Sequence, residues 1–244
     1  MISKMRPFLS ILNLLALVAG LGACDQISSP NAPIAGTGAL TPIAGTGALT
    51  PLPPPTVSGD KSLEEVLAQR SSVREFADQP LTMAEIGQLL WAAQGITHKK
   101  GRRTAPSAGS LYPLELYVAT SEGVFHYDPA NHSLLLTGQG DPRPNLYEAA
   151  GSQESVRQAP AVFIVTAVYQ RTEKKYGPER GPRYVHLEAG HAAQNLLLQA
   201  VALGLGAVPV GSFEDEEVQK ALGLPTDHEP LYLIPVGHTA GSTG

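Results

Sequence analysis

The chain has 244 residues, 43% of them hydrophobic, with 25 glycines, 21 prolines and one cysteine, enough for one sizeable domain plus non-globular segments. A net charge of −5 with no basic block excludes nucleic-acid binding through phosphate neutralisation. The lone Cys24 excludes a disulfide framework, a CxxC redox pair, a cysteine nucleophile and a thiolate zinc site.

At the N-terminus, Lys4 and Arg6 precede an apolar run from Phe8 to Leu21, broken only by Ser10, Asn13 and Gly20. The run is shorter than the roughly 20 residues a membrane span requires, and it suits a secretory signal. It ends in Leu21-Gly22-Ala23-Cys24, which resembles the bacterial lipobox. Residues 1–23 are therefore expected to be a lipoprotein signal peptide. Cys24 becomes the lipidated first residue of an exported, membrane-anchored protein on the periplasmic or another extracytoplasmic face. The alternative is an ordinary signal peptide with an incidental cysteine. Cleavage removes two cations and no acid, taking the net charge from −5 to −7.

Residues 24–60 show no apolar periodicity. Pro-Ile-Ala-Gly-Thr-Gly-Ala-Leu-Thr stands at Pro33–Thr41 and again at Pro42–Thr50, followed by Pro51-Leu-Pro-Pro-Pro55. Two short copies cannot bury a core. The composition predicts a flexible Gly/Pro/Thr tether, holding the domain roughly 30–35 Å from its anchor.

Folded texture spans residues 61–240. Ser62-Leu-Glu-Glu65 is a capping box opening a helix through Arg70, and Thr82-Met-Ala-Glu85 opens a second that stops at Gly95. Leu114–Thr120 reads as a strand. Val124–Tyr127 and Ser133–Leu136 read as a hairpin turning at Asp128–Asn131. Arg143–Gly151 reads as a helix, and the apolar, β-branched Ala161–Tyr169 as a buried central strand. Arg183–Leu203 is helical and apolar nearly all round, which predicts burial in a core or subunit interface. A strand at Ala207–Phe213, a helix at Asp215–Leu222 and a strand at Leu231–Val236 complete an α+β pattern without regular βαβ alternation.

Three segments have the composition of a binding site. Arg70-Ser71-Ser72-Val73-Arg74 offers two guanidiniums and two hydroxyls to a phosphate, the arginines sharing a face if the turn is helical. The same residues suit a solvated helix C-terminus. Ala105-Pro-Ser-Ala-Gly-Ser-Leu-Tyr-Pro113 lets backbone approach a flat ligand, or makes a tight surface turn. Gly204-Leu-Gly-Ala-Val-Pro-Val-Gly211 closes a helix and enters a strand, the reverse of a dinucleotide fingerprint, so a Rossmann site is not expected. His186, Glu188 and His191 lie about 200° and 500° apart around a helix, and no metal site is expected from them.

Taken in order, Arg70–Phe76, Ala105–Glu115, Lys175-Tyr176-Gly177, Leu187–Asn195, Gly204–Phe213 and Leu231–His238 resemble the FMN-dependent nitroreductase superfamily, and within it the SagB-type dehydrogenases. The resemblance implies a three-layer α+β fold, with a mixed central sheet flanked by helices, as a homodimer binding FMN at the subunit interface. It implies that Arg70, Ser71, Ser72 and Arg74 hold the FMN phosphate. Pro106, Ser107, Ala108 and Gly109 of the partner flank the ring, and Gly206 and Ala207 present backbone near N5. Many relatives carry a basic residue after the last strand. Here His238 is followed by Thr-Ala-Gly-Ser-Thr-Gly244, so FMN is held less tightly, or by His238 and the two arginines alone.

The resemblance also makes Lys175 and Tyr176 the catalytic pair, a lysine base beside a phenol relay. The charged run Glu173-Lys-Lys175 suits an exposed, protonated lysine equally well. The expected function is hydride transfer through FMN between a small-molecule or peptide substrate and an acceptor. The alternative is a degenerate flavin fold serving as a binding or scaffold lipoprotein without catalysis.

Overall fold

In the computed structural model the described residues are 47 and 49–240, so Cys24 and the signal region lie outside them. Both capping boxes form as expected. Ser62 opens α1 (Leu63–Gln69), its backbone N–H donating to Glu65 at 2.7 Å, and Thr82 opens α2 (Met83–Gln94). A first strand, β1 (Thr50–Pro51), precedes them. After α2 come β2 (Leu114–Thr120), β3 (Gly123–Asp128), β4 (Ser133–Gln139), α3 (Arg143–Ala149), α4 (Glu154–Gln158), β5 (Ala161–Ala167), α5 (Gln170–Tyr176), α6 (Gly181–Ala202), β6 (Leu205–Ala207), α7 (Asp215–Leu222) and β7 (Glu229–His238).

The strands form one seven-stranded sheet in the order β1-β4-β3-β2-β5-β7-β6. Every ladder among the described residues is antiparallel, where a mixed sheet was expected. Strand β5 is buried at every position because both faces of the sheet are covered. Phe163 and Val165 pack into a core with Leu89 and Leu90 of α2 and Ala192 and Leu196 of α6. Val162 and Ile164 pack on the opposite face with Leu146 of α3, Val156 of α4 and Leu222 of α7. Helix, sheet and helix make three layers. Truncating a side chain such as Phe163 to alanine removes about 3–5 kcal/mol.

Several elements differ from the sequence expectation. Thr50 and Pro51 pair with Leu134 and Ser133, and Leu52 is buried, so the start of the proline-rich stretch lies on the sheet edge. Proline is tolerated there because an edge strand needs no inward donor on its open side. Arg70–Glu75 is not helical, and Arg70 has extended backbone. Gln170–Tyr176, expected within a polar loop, is helical, and α4 was not foreseen. The strand expected over Ala207–Phe213 reduces to Leu205–Ala207 plus a bridge from Val210 to Leu233. Helix α6 begins at Gly181, with Pro182 in its first turn where a missing N–H costs nothing. Leu187, His186 and His191 on α6 are exposed, so the helix is not buried all round within one chain. Among the described residues no helix is long and apolar enough to cross a membrane.

Candidate functional site

The expected site residues gather into two groups. The first surrounds β6. The Arg70–Ala77 segment runs beside it, with Val73 N–H donating to Ala207 O at 3.0 Å and Ala77 N–H to His238 O at 2.9 Å. Val73 packs against Gly206 of β6, while Ser72 and Arg74 are exposed and Arg70 is half-buried. Ser71 is exposed beside Val73.

Val73 explains Gly206. A Cβ there would lie 2.6 Å from Val73 Cγ1, so only glycine lets the arginine-bearing segment seat this closely. Gly206 and Ala207 are buried, and Ala207 has given its carbonyl to Val73. Both carry that segment. The glycine-rich run becomes exposed at Gly211 and Ser212, which the motif pattern does not signal. Among the described residues neither Arg70 nor Arg74 has a side-chain hydrogen bond or ion pair. His238 pairs with Leu205, and its buried Nε2, without a hydrogen-bond partner, stands 3.6 Å from Glu85 Oε1. Two free guanidiniums and two exposed hydroxyls are a donor set suited to a phosphate monoester.

The second group surrounds Gly109. Ser107–Tyr112 forms a tight turn in which Gly109, Ser110 and Tyr112 have φ of 63°, 55° and 47°. A Cβ on Gly109 would lie 2.7 Å from Lys175 Nζ and 2.9 Å from Tyr176 Oη, so the turn is pressed onto the end of α5. Pro106 is exposed, Ala108 half-buried, and Ser107 Oγ accepts from Tyr112 N–H at 2.9 Å. The Gly109 turn and the Lys175-Tyr176 pair, far apart in sequence, are thus neighbours within one chain.

Two carboxylates from the Leu187–Asn195 and Ala105–Glu115 motifs lie close to this turn. Glu188, on the buried side of α6, accepts from Gln94 Nε2 at 3.4 Å and is hydrogen-bonded to Ser107. Burial raises its carboxyl to about 7, outweighing those hydrogen bonds and the Arg103 charge. Glu115 behaves oppositely. Burial alone would raise it, but hydrogen bonds from His126 and Arg171, with their charges, hold it at about 2. The sequence signal for Glu188 is a carboxylate interrupting an apolar helical face. His186 instead bonds Tyr169 Oη at 2.6 Å, and His191 is exposed, so the three spaced residues do not converge.

Sheet register separates the two groups. Strand β6 pairs with the Val236–His238 end of β7, which faces Ala161 of β5. The Gly109 turn and α5 lie beyond the other end, where Leu114 pairs with Ala167 and Ala167 with Glu229. Six residues of strand separate those rows, roughly 20 Å.

The sequence pattern described as "Nitroreductase family" matches residues 67–238. The chain is 45% identical over 181 residues to a nitroreductase-family protein of Methanocaldococcus jannaschii, covering 72% of this chain and 90% of that one. It is 27% identical over 199 residues to the FMN reductase (NADPH) of Bacillus subtilis, covering 76% and 68% respectively. Among solved structures, a nitroreductase-like protein from Ralstonia eutropha superimposes with a TM-score of 0.73 at 33% identity, covering 83% of this chain and 95% of that one.

Proposed function

The chain belongs to the Nitroreductase family of oxidoreductases, and from that premise we propose an FMN-dependent, SagB-type dehydrogenase that works as a homodimer on an organic or peptide substrate. The observation that carries this reading is the placement of complementary half-sites at opposite ends of one sheet. A phosphate-type donor set lies at one end, and a bare turn backed by Lys175 and Tyr176 lies at the other. One flavin reaches both halves when a second copy brings its Gly109 turn to the first copy's arginines, as a two-fold interface does reciprocally.

Arg70, Ser72 and Arg74 hold the flavin phosphate, with Ser71 alongside, and Pro106–Gly109 of the partner lie against the ring. Bound FMN supplies two-electron hydride chemistry. Lys175 takes or holds a proton on the substrate side, with the Tyr176 hydroxyl as its relay. Gly206 and Ala207 keep the phosphate-binding segment seated, and His238 closes the same end of the sheet.

The test is the purified chain from Asp25 onward, which keeps β1, expected to be a yellow dimer that releases FMN on denaturation. A colourless monomer that cannot be reconstituted with FMN refutes the reading. A synthetic thiazoline peptide, losing two hydrogens to become a thiazole with dioxygen as final acceptor, probes the dehydrogenase assignment. Lys175→Ala is expected to slow that oxidation about a hundredfold or more, with bound FMN and reduction by dithionite unchanged. The proposal extends to the N-terminus, where acylated Cys24 tethers the enzyme to the membrane outside the cytoplasm. Cys24→Ser then moves the protein from the membrane to the soluble fraction, and continued sedimentation with membranes counts against it.

A further inference from the structure

Arg171 and Glu115 take no part in the chemistry above, yet Glu115, at 15% side-chain exposure, is the most buried carboxylate in any ion pair among the described residues. Arg171 sits in the first turn of α5. Its Nη1 donates to Tyr112 O at 3.1 Å and its Nη2 to Glu115 Oε1 at 2.5 Å. The other Glu115 oxygen meets His126 Nε2 at 2.7 Å, and His126 stacks on Tyr117 with ring centroids 4.6 Å apart. One guanidinium therefore joins α5, the start of β2 and the turn that precedes it.

Helical periodicity gives this link a direction. Lys175 follows Arg171 by four residues and shares its face of α5. The first turn of α5 grips Tyr112, and its last turn meets Gly109, so helix and turn lie side by side in opposite senses. The turn is strained, since Ser110 and Tyr112 adopt left-handed backbone that non-glycine residues keep only when their surroundings hold them. All three polar groups of Tyr112 are engaged. Its N–H donates to Ser107 Oγ, its hydroxyl accepts from Arg103 N–H, and its carbonyl accepts from Arg171. The Arg171 bond alone comes from the helix bearing Lys175 and Tyr176.

We propose that Arg171, anchored by Glu115, is a positioning residue that holds the left-handed Gly109–Tyr112 turn against Lys175 and Tyr176. It thereby fixes where that pair meets the substrate, which rests on the reading that the pair serves the substrate half-reaction. A planar fork is required, because one side chain must donate in two directions.

Hydrogen–deuterium exchange on the flavin-loaded full chain reads this brace without reference to turnover. In Arg171→Gln and Glu115→Gln, the amides of Ser110–Tyr112 and of Tyr176 and Gly177 exchange about tenfold faster, while those of β5 and α6 do not change. Arg171→Lys, which keeps the charge but not the fork, falls between. Unchanged exchange in the turn overturns the proposal, and so does equal acceleration in β5, which marks general destabilisation. Thiazoline oxidation separates the brace from the reading beneath it. Normal turnover in Lys175→Ala sinks the role of the pair and leaves the exchange result standing as evidence for the brace. Slow turnover in Lys175→Ala with normal turnover in Arg171→Gln shows a brace that positions nothing, and overturns the proposal.

Discussion

Glu188→Gln is expected to flatten the dependence of folding stability on pH. The carboxyl lies 2% exposed on α6, and burial raises it from 4.5 to about 7. Between those values the folded chain keeps a proton that the unfolded chain has released, so stability falls as pH rises. The contribution is fully present below about 4.5 and is lost as pH passes 7. At 1.36 kcal/mol per unit, the shift amounts to about 3 kcal/mol. Glutamine keeps the shape and an acceptor for Gln94 Nε2 but carries no titrating proton. Urea unfolding from pH 5 to pH 8 is the assay. The parent chain should lose about 2–3 kcal/mol more than the variant across that range, or roughly 5–10 °C in melting temperature. Parallel profiles in the two proteins refute the reasoning, because the buried carboxylate would then cost nothing to ionise.

Arg74→Ala is expected to weaken FMN binding about ten- to a hundredfold, the value of one charge-assisted contact. Arg157→Ala, which removes a surface pair with Glu154 and a contact with the Tyr147 ring, leaves binding unchanged, and fluorescence titration distinguishes them. Gly109→Ala adds a methyl 2.7 Å from Lys175 Nζ in left-handed backbone, and should cost about 1–3 kcal/mol in urea unfolding. An unchanged midpoint there means the turn shifts freely off α5. Glu115, lowered to about 2, contributes stability above about 4.5 that is lost as pH falls through 2. The stability gap between the parent chain and Glu115→Gln should therefore close on acidification, and a constant gap counts against the ion pair.

Elements with local signals are legible in the amino-acid sequence. The capping boxes at Ser62 and Thr82 are closed by residues three apart, so the code is short-range. The run Ala161–Ala167 announces itself by being apolar on both faces, as a strand covered by two helical layers must be. Segments whose conformation depends on distant partners carry no such signal. Arg70–Arg74 looks like a helix end, but Val73 is drawn out beside Ala207, which lies far along the chain. Gln170–Tyr176 is polar enough to read as a loop. It is helical with Thr172 buried and Arg171 gripping β2, neither of which a window of sequence contains. Thr50 and Pro51 have the composition of a tether, and only the open edge of β4 makes them a strand.

The same distinction governs the site. Motif order is enough to nominate candidate residues, because each motif is contiguous, but their separation is a property of strand register. The antiparallel pairing of β5 with β7 sends the arginine segment to one end of the sheet and the Gly109 turn to the other. No local pattern in Arg70–Arg74 or Pro106–Gly109 records that separation of roughly 20 Å. Once it is known, the proposed homodimer acquires a chemical reason. A phosphate clamp without a ring-facing turn beside it is half a site, and a two-fold axis that joins each clamp to the other copy's turn completes two sites at once. The proposed brace at Arg171 would then act within each copy, shaping the half-site which that copy presents to its partner.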